Sequence, residues 1–303
     1  MRRSMKKTRA DLLLAGRGLA DSQAKAQALI MAGLVKSEER RVEKAGELLA
    51  SDASLSLKPV SPFVGRGALK LAEALDAFGV SPGGLACADI GASTGGFTDC
   101  LLQRGAARVY AVDVTTRQID DRLRRDARVV LIEKNARNIR PEDFSEPIHL
   151  AVMDVSFISI LKILPALAEV LRSGRRDGKG GGKEGEGENT GEGGKNPKFD
   201  PILLSLVKPQ FEAVRGSVGK RGVVRDPEVH RDVLTRIATG ARAAGFLMSG
   251  LLRLKTRGQK GNVEFFGRFR LGDPAVEPLP EGVLEWISAA VDGAEIPDGG
   301  FAG

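Results

Sequence analysis

The sequence is poor in the residues from which metal sites and disulfide networks are built. Its 303 residues include only two cysteines and two histidines, which are Cys87, Cys100, His149 and His230. These four residues cannot build a four-ligand zinc site by themselves, and two cysteines exclude a disulfide-rich fold. We therefore predict no metal, and we interpret both cysteines as small buried hydrophobic residues.

Long apolar runs are also absent. A membrane-spanning helix needs about 18 or more consecutive apolar residues. The most apolar stretch, residues 150–171, is interrupted by Asp154, Lys162 and Glu169. The basic N-terminal segment is not followed by the apolar core of a cleavable signal. This pattern excludes a membrane span and predicts a cytoplasmic protein.

The charge of the chain is positive and unevenly distributed. The 46 Lys and Arg residues exceed the 39 Asp and Glu residues, which gives a net charge of +7 and a pI near 9.5. Residues 1–60 contain twelve basic and seven acidic residues, whereas residues 271–303 contain seven acidic residues and no Lys or Arg. A basic segment joined to a near-neutral body is typical of a nucleic-acid-binding module attached to a second domain.

The hydrophobic pattern predicts two domains. In residues 1–60, two short helices and short strands at 34–35 and 55–57 indicate a small α+β domain. In residues 61–271, apolar runs alternate with segments of helical periodicity, which predicts an α/β, Rossmann-like, mostly parallel sheet with an antiparallel edge pair. The predicted strands are 85–90, 109–112, 129–131, 149–153 and 202–207, the edge pair is 250–255 and 263–270, and the predicted helices are 68–78, 97–102, 161–171 and 228–244.

Two segments do not fit this alternation. Residues 172–199 contain ten glycines, seven basic and five acidic residues, and Phe199 is their only large apolar side chain. Such a stretch cannot bury enough surface to offset the entropy of ordering it, so we predict a disordered Gly-rich insert. Residues 272–303 form an acidic tail, in which the apolar spacing around Trp286 predicts one short amphipathic helix.

The segment from Asp89 to Phe97 follows a predicted strand and opens a predicted helix, the position at which a parallel sheet binds nucleotides. It lacks the close-approach glycine of dinucleotide sites, but S-adenosylmethionine has no pyrophosphate and needs only a tight turn there. Asp113 ends the next strand, 22 residues after Gly91, where it can accept both ribose hydroxyls. Ordinary turn glycines and aspartates are the alternative interpretation. The predicted S-adenosylmethionine site consists of Asp89, Gly91, Ala92, Ser93, Gly95, Phe97, Asp113, Val114 and Asn135.

Several motifs, in order along the chain, resemble known families. Residues 8–13, 17–22 and 26–35 look like an S4 RNA-binding domain. The second domain resembles the TlyA family of haemolysin-named ribosomal RNA methyltransferases, whose catalytic domain is FtsJ-like. The motifs that carry this resemblance are Arg66-Gly67-Ala68-Leu69-Lys70-Leu71, Asp89 to Thr98, Val152-Met153-Asp154-Val155-Ser156-Phe157, Val207-Lys208-Pro209-Gln210-Phe211-Glu212 and Gly261-Asn262-Val263-Glu264-Phe265.

The resemblance implies an S-adenosylmethionine-dependent methyltransferase that acts on a ribose 2'-hydroxyl, that of a cytidine, in ribosomal RNA. It also implies a catalytic set made of Lys70, Asp154, Lys208 and Glu264. A 2'-hydroxyl becomes a good nucleophile when a positioned base shares its proton, and a lysine can be that base only in its neutral form. We assign Lys208 as the base. We expect Asp154 and Lys70 to orient it, with Glu264 in support.

We expect the basic N-terminal domain to bind ribosomal RNA or a ribosomal subunit. RNA contacts are predicted in or beside the matching motifs, at Arg9, Arg17, Ser22, Lys25 and Arg66. Two other functions remain open: a non-catalytic RNA-binding or ribosome-assembly factor, and a cytolysin, as the historical name of the family suggests. The complete set of four ionisable residues argues against the first, and the lack of an apolar span argues against the second.

Overall fold

The computed structural model describes residues 7–38, 40–57, 63–174, 200–214, 216–273, 275, 277–280 and 282–294. The chain divides into two compact units, Met1–Pro62 and Phe63–Gly303. Residues 172–174, which we expected in the Gly-rich insert, instead form the last turn of a helix that is anchored by the buried side chains of Val170 and Leu171. The rest of the predicted insert, residues 175–199, lies outside the described residues.

The first unit combines short helices with short strands. Its described elements are β1 (Lys7–Arg9), α1 (Ala10–Gly16), α2 (Gln23–Met31), β2 (Val35–Ser37), β3 (Arg40–Arg41), β4 (Leu48–Ala50) and β5 (Leu55–Leu57). β1 pairs antiparallel with β4, and β2 pairs antiparallel with both β3 and β5. A core that includes Leu14, Ile30 and Val35 is fully buried between the helices and strands.

A buried carboxylate holds the two helices of this unit together. Asp11 is fully buried in α1, and its oxygens accept hydrogen bonds from Arg9 at 2.8 and 3.1 Å. They also accept from the side chains of Gln23 and Gln27 in α2, at 3.0 and 2.9 Å. The hydrogen bond from Arg9 holds the pKa of Asp11 well below its usual range. Asp11 therefore stays ionised, and its charge is compensated by donors from both helices.

Replacing Asp11 by Ala should destabilise the first unit by about 3 kcal/mol, because four side-chain hydrogen bonds are lost and their donors are left without an acceptor. Asp21→Ala, at an exposed position before α2, is the matched control. Amide hydrogen exchange of the full chain should show faster exchange in α1 and α2 for Asp11→Ala only. Equal protection in both variants would contradict a structural role for Asp11.

The second unit alternates helices and strands along the chain. Its described helices are α3 (Gly67–Ala77), α4 (Gly96–Gln103), α5 (Asp121–Arg124), α6 (Leu164–Gly174), α7 (Pro209–Glu212), α8 (Pro227–Ala243) and α9 (Val283–Asp292). Its described strands are β6 (Ala86–Ile90), β7 (Arg108–Asp113), β8 (Val129–Glu133), β9 (Leu150–Met153), β10 (Ile202–Val207), β11 (Phe246–Arg253) and β12 (Phe265–Leu271). Every strand and helix that the sequence predicts for this domain is present, and no end is shifted by more than four residues.

The strands of the second unit form one sheet in the order β11-β12-β10-β9-β6-β7-β8. β10, β9, β6, β7 and β8 run parallel, whereas β12 runs antiparallel to both β10 and β11. This arrangement confirms the predicted mostly parallel sheet with an antiparallel edge pair. Buried side chains cover both faces, Leu167 and Leu234 on one and Leu71 and Leu101 on the other, which explains the continuous apolar runs of the central strands.

The strand register gathers the loops that carry the sequence motifs. Ile90 at the end of β6 lies opposite Val112 of β7 and Met153 of β9. Val207 at the end of β10 lies opposite Phe265, the first residue of β12. The residues that follow these parallel strands, and those that precede β12, therefore share one edge of the sheet. Among the helices that the structure describes, none is long and apolar enough to cross a membrane.

Candidate active site

The loop between β6 and α4 is a tight glycine turn that lies against the end of β9. Gly91 has a φ of +87°, and its backbone N–H donates to the carbonyl of Val112 at 2.8 Å. A Cβ at Gly91 would lie 2.5 Å from the carbonyl oxygen of Asp154, closer than any real side chain comes. Only glycine fits there, both because of its positive φ and because the two backbones are in contact.

A cavity of about 400 Å³, here called the first cavity, opens beside this turn. Asp113 ends β7 at its wall, and its carboxylate accepts the backbone N–H groups of Ser93 at 2.9 Å and Thr115 at 3.2 Å. These two bonds fix the carboxylate and leave further lone pairs for a ligand. Five of the predicted cofactor residues line the first cavity, and they are Gly91, Ser93, Asp113, Val114 and Asn135.

The other four predicted cofactor residues occupy different positions. Ala92 and Phe97 line a second cavity, which also borders Gly65 and Gly67 on the other side of the turn. Gly95 and Asp89 are packed behind the turn. A Cβ at Gly95 would lie 2.3 Å from the side chain of Leu123. A glycine at this position therefore allows Leu123 to pack against the turn.

Asp89 is a fully buried carboxylate that supports the turn from within. One of its oxygens accepts both the backbone N–H and the hydroxyl of Thr98 in the first turn of α4, at 2.8 and 2.7 Å. Burial raises the pKa of Asp89 to about 7, against the lowering effect of the bonds from Thr98. The position of Asp89 in the sequence predicts a contact with the cofactor. In the structure its side chain is buried beneath the turn and fixes the start of α4.

A third cavity brings together the four predicted catalytic residues, Lys70, Asp154, Lys208 and Glu264. They form two ion pairs. Lys70, which projects from α3, donates to Glu264 at 2.6 Å. Lys208, directly after β10, contacts the carboxylate of Asp154, directly after β9, and also donates to the hydroxyl of Ser156 at 3.0 Å. Glu264 directly precedes β12.

Both ion pairs are shielded from bulk water. The exposed fractions of the side chains are 13% for Lys70, 12% for Lys208 and 2% for Glu264. Glu264 is enclosed so tightly that a Cβ at Gly258 would lie 2.0 Å from its carboxylate oxygen. Charges interact more strongly here than in an exposed surface pair. The electrostatic interaction of these lysines with a ligand beside them is therefore only weakly screened by water.

The cavities are contiguous because two residues belong to all of them. Asp154 and Ser156 line the first, second and third cavities. The carbonyl of Asp154 contacts the turn at Gly91, while its carboxylate contacts Lys208. Asp154 therefore links the wall of the first cavity to the paired lysine of the third.

Several residues around these cavities were not among the predicted site residues. Phe157 is 89% exposed and has a φ of +65°, which is rare for a residue with a large side chain. Its ring lies 4.8 Å from that of Phe211, and Lys208 Nζ lies 5.8 Å from the centroid of Phe211. Ser156 bonds Lys208. These residues lie within the motifs that carry the family resemblance, so the signal for them was their position in those motifs.

The predicted RNA-binding residues of the first unit make internal contacts. Arg9 bonds Asp11, and Arg17 donates to the backbone carbonyls of Ser51 and Ala53. Ser22 is the N-cap of α2, where its hydroxyl accepts the backbone N–H of Lys25 at 3.1 Å. The Lys25 side chain is exposed in the first turn of α2. In the second unit, Arg66 lines both the second and the third cavity.

Comparisons with known proteins agree with this architecture. Residues 63–270 match the FtsJ-like methyltransferase family. The chain is 41% identical over 297 residues to YqxC of Bacillus subtilis, provisionally named an rRNA methyltransferase, with 97% of this chain and 91% of YqxC covered. It is 38% identical over 264 residues to TlyA of Mycobacterium tuberculosis, named a 16S/23S rRNA (cytidine-2'-O)-methyltransferase, with 86% of this chain and 89% of that protein covered.

A solved structure has a similar fold along nearly the whole chain. It is a Streptococcus thermophilus protein, provisionally named a hemolysin, with 37% identity and a TM-score of 0.65. The alignment covers 95% of this chain and 97% of that one. A parallel sheet with a glycine turn after one strand and an acid at the end of the next defines an α/β nucleotide-binding enzyme. The chain belongs to the FtsJ-like methyltransferase family, and its TlyA-named relatives confirm the resemblance of its sequence motifs.

The buried position of Asp89 predicts a specific pH dependence of stability. Its pKa of about 7 in the folded chain exceeds its ordinary value of 3.8. The folded chain therefore holds a proton that the unfolded chain releases, so the free energy of unfolding should fall as pH rises from about 4 to about 7. Asp89→Asn cannot titrate and keeps an acceptor for Thr98.

Chemical denaturation of both proteins between these pH values isolates the contribution of Asp89. The stability of Asp89→Asn relative to the wild type should increase through the window and then become constant above it. A difference that does not depend on pH would show that Asp89 is ionised in the folded protein throughout.

Proposed function

We propose that this chain is an S-adenosylmethionine-dependent methyltransferase that modifies the ribose 2'-hydroxyl of a cytidine in ribosomal RNA. The observation that carries the proposal is the ion pair between Lys208 and Asp154, because Asp154 lines all three cavities and Lys208 lines the second and the third. The named activity of TlyA from M. tuberculosis supports the same substrate.

The residues of the first cavity fit S-adenosylmethionine. The carboxylate of Asp113 is held by two backbone N–H groups and still has lone pairs for the two hydroxyls of a ribose. Val114 and Asn135 line the same cavity, in which a purine ring can lie. The bound cofactor would supply an electrophilic methyl group. Gly91 and Ser93 would form the wall nearest the methionine part of the molecule.

The third cavity supplies the groups that the acceptor hydroxyl needs. Lys208 would take the proton of the 2'-hydroxyl when that oxygen is methylated, so the O–H bond would break and Nζ would gain the proton. The methyl carbon would exchange its bond to the cofactor's sulfonium sulfur for a bond to this oxygen, and the sulfur would leave as a neutral thioether. Asp154 holds the amine in line and stabilises the ammonium that forms. Lys70 lines the same cavity, and Glu264 holds it in place.

Features outside the catalytic pairs support RNA as the substrate. The exposed ring of Phe157 borders the first and third cavities and offers a surface on which a nucleobase can stack. Arg66 lines the third cavity and can contact a phosphate. We propose further that the first unit is an S4-like RNA-binding domain, that RNA contacts include the exposed Lys25, and that the protein acts in the cytoplasm, where ribosomal subunits are available.

Replacing Lys208 by Ala should lower the rate of methyl transfer by about 10²–10⁴-fold, because no positioned base remains for the hydroxyl proton. Affinities for S-adenosylmethionine and RNA should change little. Lys162→Ala, which removes an exposed lysine elsewhere, is the control. The measurement is transfer of a labelled methyl group to unmodified ribosomal subunits. If Lys208→Ala kept more than about a tenth of the wild-type rate, the proposed role of Lys208 would be wrong.

Replacing Asp113 by Ala should weaken S-adenosylmethionine binding. Two ribose hydrogen bonds to a charged acceptor are lost, each worth about 1.5–3 kcal/mol, so the Kd should rise at least about a hundredfold. Asp121→Ala, at an exposed position in α5, is the matched control. Calorimetry with S-adenosylmethionine provides the measurement. An unchanged affinity of Asp113→Ala for S-adenosylmethionine would contradict the proposed contact between Asp113 and the ribose.

A further inference from the structure

Two loops outside the catalytic pairs carry a concentrated positive charge. The first is residues 216–226, in the connection from α7 to α8, and the second is residues 254–262, the part of the connection from β11 to β12 that precedes Val263 and the catalytic-pair residue Glu264. Together they are here called the cationic double loop. Asp226 is the only acidic residue in the two loops, and its side chain caps the start of α8. The exposed cations of the cationic double loop are Lys220, Arg221, Arg225, Lys255, Arg257 and Lys260.

One buried side chain joins the two loops. Asn262 is 3% exposed, its Nδ2 donates to the carbonyl of Gly222 at 3.0 Å, and its Oδ1 accepts the backbone N–H of Val224 at 3.0 Å. Its own carbonyl accepts the backbone N–H of Gly258 at 2.9 Å. The amide of Asn262 therefore satisfies backbone groups of the first loop from its place at the end of the second. An Asn is suited to this role because it offers one donor and one acceptor side by side.

The loops also approach each other at their tips. A Cβ at Gly222 would lie 3.9 Å from Nζ of Lys260. Gly222 and Lys260 both have a positive φ, of +73° and +56°, which turns each loop sharply at this point. The bridge therefore holds the two loops in one arrangement before any ligand binds, which lowers the entropy that binding must offset.

The cationic double loop continues into the third cavity. Thr256, Arg257 and Gly258 line that cavity together with Lys208. Gly258 contacts the carboxylate of Glu264, and Asn262 lies two residues before Glu264 in the chain. An RNA strand that placed one sugar in the third cavity would therefore have its neighbouring phosphates beside the cationic double loop.

We infer that the cationic double loop binds the phosphodiester backbone beside the methylated nucleotide, and that Asn262 is the positioning residue that holds it in the binding arrangement. This inference rests on the proposed function, because it takes RNA as the substrate. Contacts to phosphates are independent of base sequence, release counterions and position the strand, whereas contacts to the base select the nucleotide. The cationic double loop would therefore set affinity and its dependence on salt.

The direct test compares two double variants of the full chain that remove the same charge. Lys220→Gln with Arg221→Gln neutralises the first loop. Arg104→Gln with Arg128→Gln neutralises two cations that precede β7 and β8, at the opposite edge of the sheet from the third cavity. The Kd for unmethylated ribosomal RNA transcripts is measured against salt concentration. Steady-state methylation of the same RNA is measured in parallel.

The loop variant should bind the transcripts more weakly, and its slope of log Kd against log salt should shrink by about 0.7–0.9 for each lost contact. The KM for RNA should rise, while kcat stays within about twofold, since the removed contacts are made before and during reaction alike. The control variant should behave as the wild type. Equal salt slopes in the two double variants would overturn the inference, because net charge alone would then explain any change in affinity.

Asn262→Asp tests the positioning role. It keeps an acceptor for the Val224 N–H but places an oxygen against the carbonyl of Gly222. We expect the same shift in salt slope as in the loop variant, with unchanged affinity for S-adenosylmethionine. Adding Lys220→Gln and Arg221→Gln to Asn262→Asp should then cost little more, because both changes remove one set of contacts. Fully additive losses would show that Asn262 does not act through the loop.

The two proposals fail in different ways. If wild-type protein transferred no methyl group to ribosomal RNA but the loop variant still lost salt-dependent RNA binding, the proposed function would be wrong and the RNA surface would stand. If methylation were observed and the loop variant bound RNA as the control does, the surface would be wrong and the proposed function would stand.

Discussion

The backbone contact between the glycine turn and the end of β9 is the constraint on which the site depends. Gly91 lies so close to the carbonyl of Asp154 that no other residue fits, and the turn therefore borders the loop that begins with Asp154. Asp154 in turn contacts Lys208 from the next strand. The nucleotide-type cavity and the cavity of the two lysines thus share Asp154 and Ser156 as wall residues. Without this contact the methyl donor and the acceptor hydroxyl would have no common boundary.

The charges around that wall are balanced pair by pair. Lys70 with Glu264 and Lys208 with Asp154 form two neutral pairs in one shielded cavity, whose wall also carries Arg66 and Arg257. Taking single charges out of water is costly, so each lysine needs its carboxylate. The pairing also keeps the amines oriented. The cations of the cationic double loop lie outside the pairs and are exposed, where they attract a polyanion without disturbing the buried balance.

Much of this arrangement could be predicted from the sequence, because it depends on local patterns. Apolar runs predict the strands, and the residues directly after them, Asp113, Asp154 and Lys208, follow at the sheet edge. β1 and β4 in the first unit were not predicted, because Lys7–Arg9 contains no apolar side chain and Leu48–Ala50 is a short apolar run without alternation. The ligand role assigned to Asp89 illustrates a different limit: its place in the turn was recognised, but burial behind the turn depends on tertiary packing.

Contacts between distant segments were the least predictable part of the site. Asn262 forms hydrogen bonds with a loop about 40 residues earlier in the chain. Neither segment has a sequence pattern that predicts its contact with the other. The pairing of Lys70 with Glu264 likewise joins α3 to the residue before β12, and the positive φ of Phe157 follows from its surroundings and not from its residue type. Such features depend on the assembled sheet, whose paired strands bring these loops to one edge.

The central claim is that this chain methylates a cytidine ribose in ribosomal RNA. The most direct test maps 2'-O-methyl groups across the ribosomal RNA of cells that lack the gene, and of the same cells complemented with the wild type or with Lys208→Ala. The account predicts a cytidine 2'-O-methyl group that only the wild-type gene restores. A methylation map that is identical in all these cells would contradict it.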